Sequence, residues 1–179
     1  MKINYRLFLL FAGITHLGFS QDKSAGPIIS DYGKVWAIDN PDYKITPNSE
    51  FKVVFDIVNS PEGLSQLNTS IETAARFLNM HAQSGVTLDR MNVALVVHGK
   101  ASKDLLTHEA YKKRYGVENP NADMISQLMD AGVEFMLCGQ SSFSRNLPIE
   151  ETISGVQLSL SAMTALIQLQ NQGFRLIKF

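Results

Sequence analysis

The chain has 179 residues and a mass of 19.9 kDa, with 45% hydrophobic and 18% charged residues, which supports one domain with a real core and excludes a disordered chain. A formal net charge of −1 and a pI near 6.4 give no support for nucleic-acid binding. One cysteine excludes a disulfide framework and any Cys-rich metal cluster, and no apolar run reaches the roughly 18–20 residues of a membrane helix.

At the start of the chain, Lys2 and Arg6 accompany an apolar stretch from Leu7 to Ile14. Gly18-Phe19-Ser20 then sets small residues at both recognition positions before Gln21. This predicts a secretory signal peptide over residues 1–20 and an exported, periplasmic or secreted protein with no membrane association after cleavage. No cysteine follows the run to take a lipid anchor. An exported chain with one unpaired thiol, Cys138, points to a reactive thiol or an intermolecular bridge; a small buried hydrophobe is the plain alternative.

Residues 21–50 are rich in turn formers (Gly26-Pro27, Asn40-Pro41, Pro47-Asn48), with a short candidate strand at Lys34–Ile38, and read as an arm leading into the domain of residues 51–179. From Phe51 the pattern changes. Phe51–Val58, Met91–Val97, Val133–Leu137, Val156–Leu160 and Phe174–Ile177 are apolar runs, as in strands covered on both faces. Between them, apolar residues at three- and four-residue spacing predict a helix over 64–83, a second around Met124–Met129 with Asn119 or Asn121 as cap, and a third over Ala162–Gln172. The alternation β-α-β-α-β-α-β-α-β specifies a three-layer α/β/α sandwich with a mostly parallel five-stranded sheet.

In such sheets ligands bind beyond the carboxyl ends of the strands. There the sequence sets Asp56 near the end of the first strand with Asn59 after it, His98-Gly99 at the end of the second, and Cys138-Gly139-Gln140-Ser141-Ser142 at the end of the third. The fourth ends in Ser159 and Ser161. The glycines allow a sharp turn or close approach to a ligand. A helical turn opened by Ser141 and Ser142, or His98 on the next strand, would lower the pKa of the thiol and raise its reactive fraction. His98 alone is also consistent with a structural hydrogen bond, and Asp56 with a purely structural partner.

Other signals are weaker. Tyr111-Lys112-Lys113-Arg114-Tyr115 suits a solvated helix face better than an anion site. The histidines lack metal-ligand spacing, and Asn59-Ser60-Pro61-Glu62-Gly63 lacks a phosphate-binding glycine fingerprint, so no metal or cofactor is expected. Asn68-Thr69-Ser70 matches a glycosylation acceptor but falls inside a helix.

The stretches FKVVFDIVN (51–59), ALVVHG (94–99), YKKRYG (111–116), NPNADMISQLMDAGVEFMLCGQS (119–141) and VQLSLSAMTALIQLQNQGFRLI (156–177) resemble the DsrE/DsrF-like family. That family is named for intracellular sulfur oxidation and includes TusD-type sulfur-relay subunits. The resemblance implies a five-stranded α/β/α fold, homo-oligomers of three or six chains, and a sulfur donor or acceptor protein as partner. It also implies that Cys138 falls where relay members accept sulfur as a persulfide. Three functions follow as candidates: a sulfur carrier using Cys138 and His98, a non-catalytic ligand-binding or assembly module, and a thiol hydrolase using Cys138, His98 and Asp56.

Overall fold

The computed structural model describes residues 22–178, so the expected signal peptide lies outside the described residues. Strands β1 (Phe51–Ile57), β2 (Met91–Val97), β3 (Glu134–Cys138), β4 (Gln157–Ser159) and β5 (Arg175–Ile177) form one sheet in the order β4-β3-β2-β1-β5, every pair parallel. Five α-helices surround it: α1 (Thr69–Gln83), α2 (His108–Tyr115), α3 (Ala122–Asp130), α4 (Gly139–Arg145) and α5 (Ala162–Asn171).

Alternation along the strands separates two cores. Val53, Phe55, Ile57, Val93, Leu95, Val97, Phe135 and Leu137 pack against α1 and α3. Val54, Ala94, Val96 and Cys138 face α5 through Ala162, Ala165 and Leu169. Each fully buried Phe or Leu contributes roughly 1.5–3 kcal/mol by leaving water. The three central strands are therefore the apolar runs read in the sequence. The two edge strands are only three residues long and mostly exposed, so the covered-sheet expectation holds for the centre alone.

Helix α1 begins at Thr69 rather than at residue 64. The Asn68 side chain accepts from the Ser70 and Ile71 N–H groups, which starts the helix there. The Leu64 carbonyl is taken by the Tyr111 hydroxyl at 3.0 Å. Asn68 is buried and its amide is held by the chain, so the glycosylation match is not available at the surface. Asn121 stands at the N-cap of α3, but its side chain accepts instead from the Asn68 N–H at 2.7 Å.

The arm is stitched to α1. Asn79, fully buried, accepts from the N–H of Ile29 and donates to the carbonyls of Ile29 and Tyr32. The candidate strand at 34–38 reduces to one antiparallel bridge, Val35 with Ser24. Trp36, Ile38, Ile45 and Met80 line an open groove between the arm and the end of α1.

Candidate functional site

The strand order creates a switch between β3 and β4. The connection from β3 to β4 packs Ile149 and Ile153 on the α1/α3 face, whereas β4 leaves for α5 on the opposite face. Ligands of open α/β sheets lie outside the carboxyl ends of the strands at such a point. Cys138 ends β3 there, in register with Ser159 of β4, and is 5% exposed.

Two helix starts meet at its sulfur. Cys138 is the N-cap of α4, and Ala162 opens α5, whose cap is the Ser161 hydroxyl accepting from the Thr164 N–H at 3.1 Å. Burial pushes the thiol pKa up. The Ser141 N–H, the Ala162 N–H, the Ser141 hydroxyl and the Gln140 N–H pull it down, and together they bring it below its ordinary value. These donors favour the thiolate because hydrogen bonds to a charged acceptor are the stronger kind. The Ser141 Oγ also accepts from the Gly99 N–H at 3.0 Å, tying the turn after β2 to α4.

Both glycines have a steric reason. A Cβ on Gly139 would stand 2.7 Å from the Ser159 carbonyl oxygen, so only glycine lets β4 approach the start of α4. Gly99 has φ +59°, and a Cβ there would stand 3.0 Å from the Val58 carbonyl oxygen.

His98 and Asp56 come together. Asp56 is in register with Val96, two residues before His98, on the same face of the sheet. The ring reaches back, and its Nε2 lies 2.7 Å from Asp56 Oδ1. Lys178, just past β5, donates to Asp56 Oδ2 at 2.8 Å. Burial pushes the Asp56 carboxyl up, while Lys178 and His98 pull it down and prevail. His98 is not among the groups that shift the thiol, whose donors come from α4 and α5. The one side-chain hydrogen bond of His98 among the described residues goes to Asp56, not to the thiol. The His98 side chain is partly exposed, and its Nδ1 carries no hydrogen bond among the described residues.

The remaining sequence candidates lie around this edge. Gln140 is exposed and donates to the Leu160 carbonyl at 3.2 Å. Asn59 is exposed, and its carbonyl, not its side chain, accepts from Asn68. Ser142 is buried and bonds the Leu147 carbonyl, closing the end of α4. Sequence reading missed the Ala162 N–H and Lys178. The first is a backbone donor, signalled only by the Ser161-x-x-Thr164 cap. The second reaches Asp56 solely through the β1–β5 register.

The family model for the DsrE/DsrF-like family matches residues 52–179. The fold is shared with the protein of unknown function MTH1491 from Methanobacterium thermoautotrophicum, with a TM-score of 0.55 and 15% identity over 73% of this chain and 100% of that one. It is also shared with YchN from E. coli, with a TM-score of 0.53 and 18% identity over 72% of this chain and 99% of that one. No curated protein sequence matches the chain. The sheet order, the helices on both faces and a match across nearly the whole of residues 51–179 agree: the chain belongs to the DsrE/DsrF-like family.

Proposed function

We propose that this protein handles sulfur, carrying sulfane sulfur as a persulfide on Cys138. The observation that supports this reading is the place of Cys138 at the β3–β4 switch, where α4 and α5 both begin and where the N–H groups of Ser141, Ala162 and Gln140 and the Ser141 hydroxyl lower the thiol pKa. The thiolate attacks the outer sulfur of a persulfide or polysulfide donor. The donor's S–S bond breaks as the new S–S bond forms on Cys138, and the donor leaves as a thiolate. No separate oxidant or reductant is needed. Transfer onward repeats the step, with an acceptor thiolate as nucleophile. His98, oriented by Asp56, offers Nδ1 at the same edge to take or give the proton that these steps move.

Export and self-assembly belong to the same proposal. The N-terminal segment supports action outside the cytoplasm, and among the described residues no helix is long and apolar enough to cross a membrane. Leu160, Met163 and Ile167 are well exposed along β4 and α5, an apolar surface suited to contact between copies in threes or sixes. A second reading, a non-catalytic binding or assembly module, is favoured by the small exposure of Cys138 itself.

Intact mass spectrometry after exposure to polysulfide separates the two. A gain of one sulfur atom, absent in Cys138→Ser and reversed by a reducing thiol, is the expected result. An unmodified folded protein removes the carrier reading and leaves the module.

A further inference from the structure

A second site is built beside the first, at the same edge of the sheet. Ser60, Pro61 and Glu62 after β1, Lys100 and Lys103 after β2, Tyr115 at the end of α2, and Ser144, Arg145 and Leu147 at the end of α4 enclose a cleft of about 600 Å³. That size suits a small organic molecule.

Its charge is uneven. Lys100, Lys103 and Arg145 face one carboxylate, Glu62. Lys100 and Arg145 make no ion pair among the described residues. In the neighbouring basic run Lys112 pairs with Glu118 and Arg114 with Glu151, and Lys113 does not line the cleft. Lys100 and Arg145 line the cleft with no carboxylate partner among the described residues.

Lys103 is held in place from below. Its Nζ donates to Asp104 Oδ1 at 2.9 Å and to the Tyr111 hydroxyl at 3.2 Å. An ammonium has three donors, so one remains for a ligand. Burial pushes the Lys103 ammonium down, and Asp104 and Tyr111 more than restore it, so it stays charged. Asp104 is fully buried and also accepts from Ser60 Oγ at 2.9 Å and Asn68 Nδ2 at 2.7 Å. One buried carboxylate therefore fixes two lining residues, Ser60 and Lys103. Such fixed groups need little further ordering when a ligand arrives.

We propose that this cleft binds a small organic polyanion, a molecule carrying two or more carboxylate or phosphate groups. Two of the three cations, Lys100 and Lys103, follow β2 and the third, Arg145, ends α4, a spread that favours a ligand with separated charges over a single ion. The cleft does not depend on the thiol, and this inference stands apart from the sulfur-carrier reading.

The test uses isothermal titration with citrate as the carboxylate probe, pyrophosphate as the phosphate probe and acetate as a singly charged control. Amide chemical shifts map the contact. Saturable binding of citrate, pyrophosphate or both is expected, with shifts at residues 60–62, 99–103 and 144–147, and the responding probe names the anion class. Affinity falls as ionic strength rises. Lys100→Glu and Arg145→Glu, both at exposed positions, should keep the fold and each weaken binding by roughly tenfold or more, since like charge replaces a charge-assisted contact. Cys138→Ser should bind unchanged. Failure of both probes to saturate, acetate binding as tightly, shifts centred on the Trp36 groove, or undiminished binding in the two variants would each overturn the proposal.

Discussion

Replacing Ser141 with alanine tests the sulfur's environment most directly. The substitution deletes the hydroxyl that helps to lower the Cys138 pKa and leaves the Ser141, Gln140 and Ala162 N–H groups in place. A hydrogen bond to a charged group contributes about 1.5–3 kcal/mol, and about 1.4 kcal/mol corresponds to a factor of ten in an equilibrium. The ratio of thiolate to thiol at a fixed pH should therefore fall about tenfold to a hundredfold. The Gly99 N–H also loses its acceptor, so the fold should lose a further 1–2 kcal/mol, roughly the cost of a polar group left unpaired. Thiolate ultraviolet absorbance against pH reads the first effect without requiring a reagent to reach a buried sulfur. Denaturant unfolding reads the second. Wild type should titrate below the ordinary cysteine range, Ser141→Ala clearly above wild type, and Ser141→Thr close to wild type because the hydroxyl is restored. Superimposable titrations of wild type and Ser141→Ala, in a variant shown to be folded, would refute the argument that this hydroxyl stabilises the thiolate.

Gly139→Ala should destabilise the fold by about 1–3 kcal/mol, because its Cβ meets the Ser159 and Leu160 carbonyl oxygens, which are backbone; unchanged denaturant unfolding would count against the close approach. Asp56→Asn should cost about 1–3 kcal/mol at neutral pH, since it leaves His98 and Lys178 facing a neutral amide. The folded Asp56 carboxyl has a lowered pKa, so its stabilisation is present above the unfolded value of about 3.9 and is lost as pH falls through the folded one. The stability gap between Asp56→Asn and wild type should therefore close only in acid, and a gap that is flat with pH would contradict this. For the assembly, Met163→Glu with Ile167→Glu should convert an oligomer to a monomer in light scattering while circular dichroism stays the same. A monomeric wild type at micromolar concentration would remove the assembly proposal.

How much of this was legible in the sequence depends on where each signal resides. Strands β1 to β3 are near-continuous apolar runs because both of their faces are buried, and such runs announce themselves. Strands β4 and β5 are edge strands of three residues, and the apolar stretches that suggested longer ones include Leu160 and Leu176, which are exposed. Leu64 and Leu67 fit the helical spacing of α1 but sit in the turn before it, because the Asn68 cap outweighs periodicity. The place of Cys138 was readable, since a thiol after a buried strand and before glycine marks a carboxyl edge. The partner of His98 was not. Adjacency of strands suggested the sulfur, whereas the two-residue offset between Asp56 and His98 lets the ring fold back onto the carboxylate, and register of that kind is not written in composition.

The arrangement around Cys138 is selective for charge, not merely polar. A hydroxyl has one proton to donate and can accept two. The Gly99 N–H can only donate, so at that contact Ser141 Oγ must accept, which frees its own proton for the sulfur. The other three groups at the sulfur are backbone N–H groups and also only donate. A neutral thiol placed there brings a proton of its own toward these donors. A thiolate brings no proton and is the form that all four groups favour. Burial works against the ion, yet the donors come from the starts of two helices that the switch between β3 and β4 aims at one point, and they require no rearrangement to serve it. The groups that lower the Cys138 pKa are thus mostly backbone N–H groups at the starts of α4 and α5, joined by the Ser141 hydroxyl, and glycine at position 139 is what lets β4 come close enough to bring the two helix starts together.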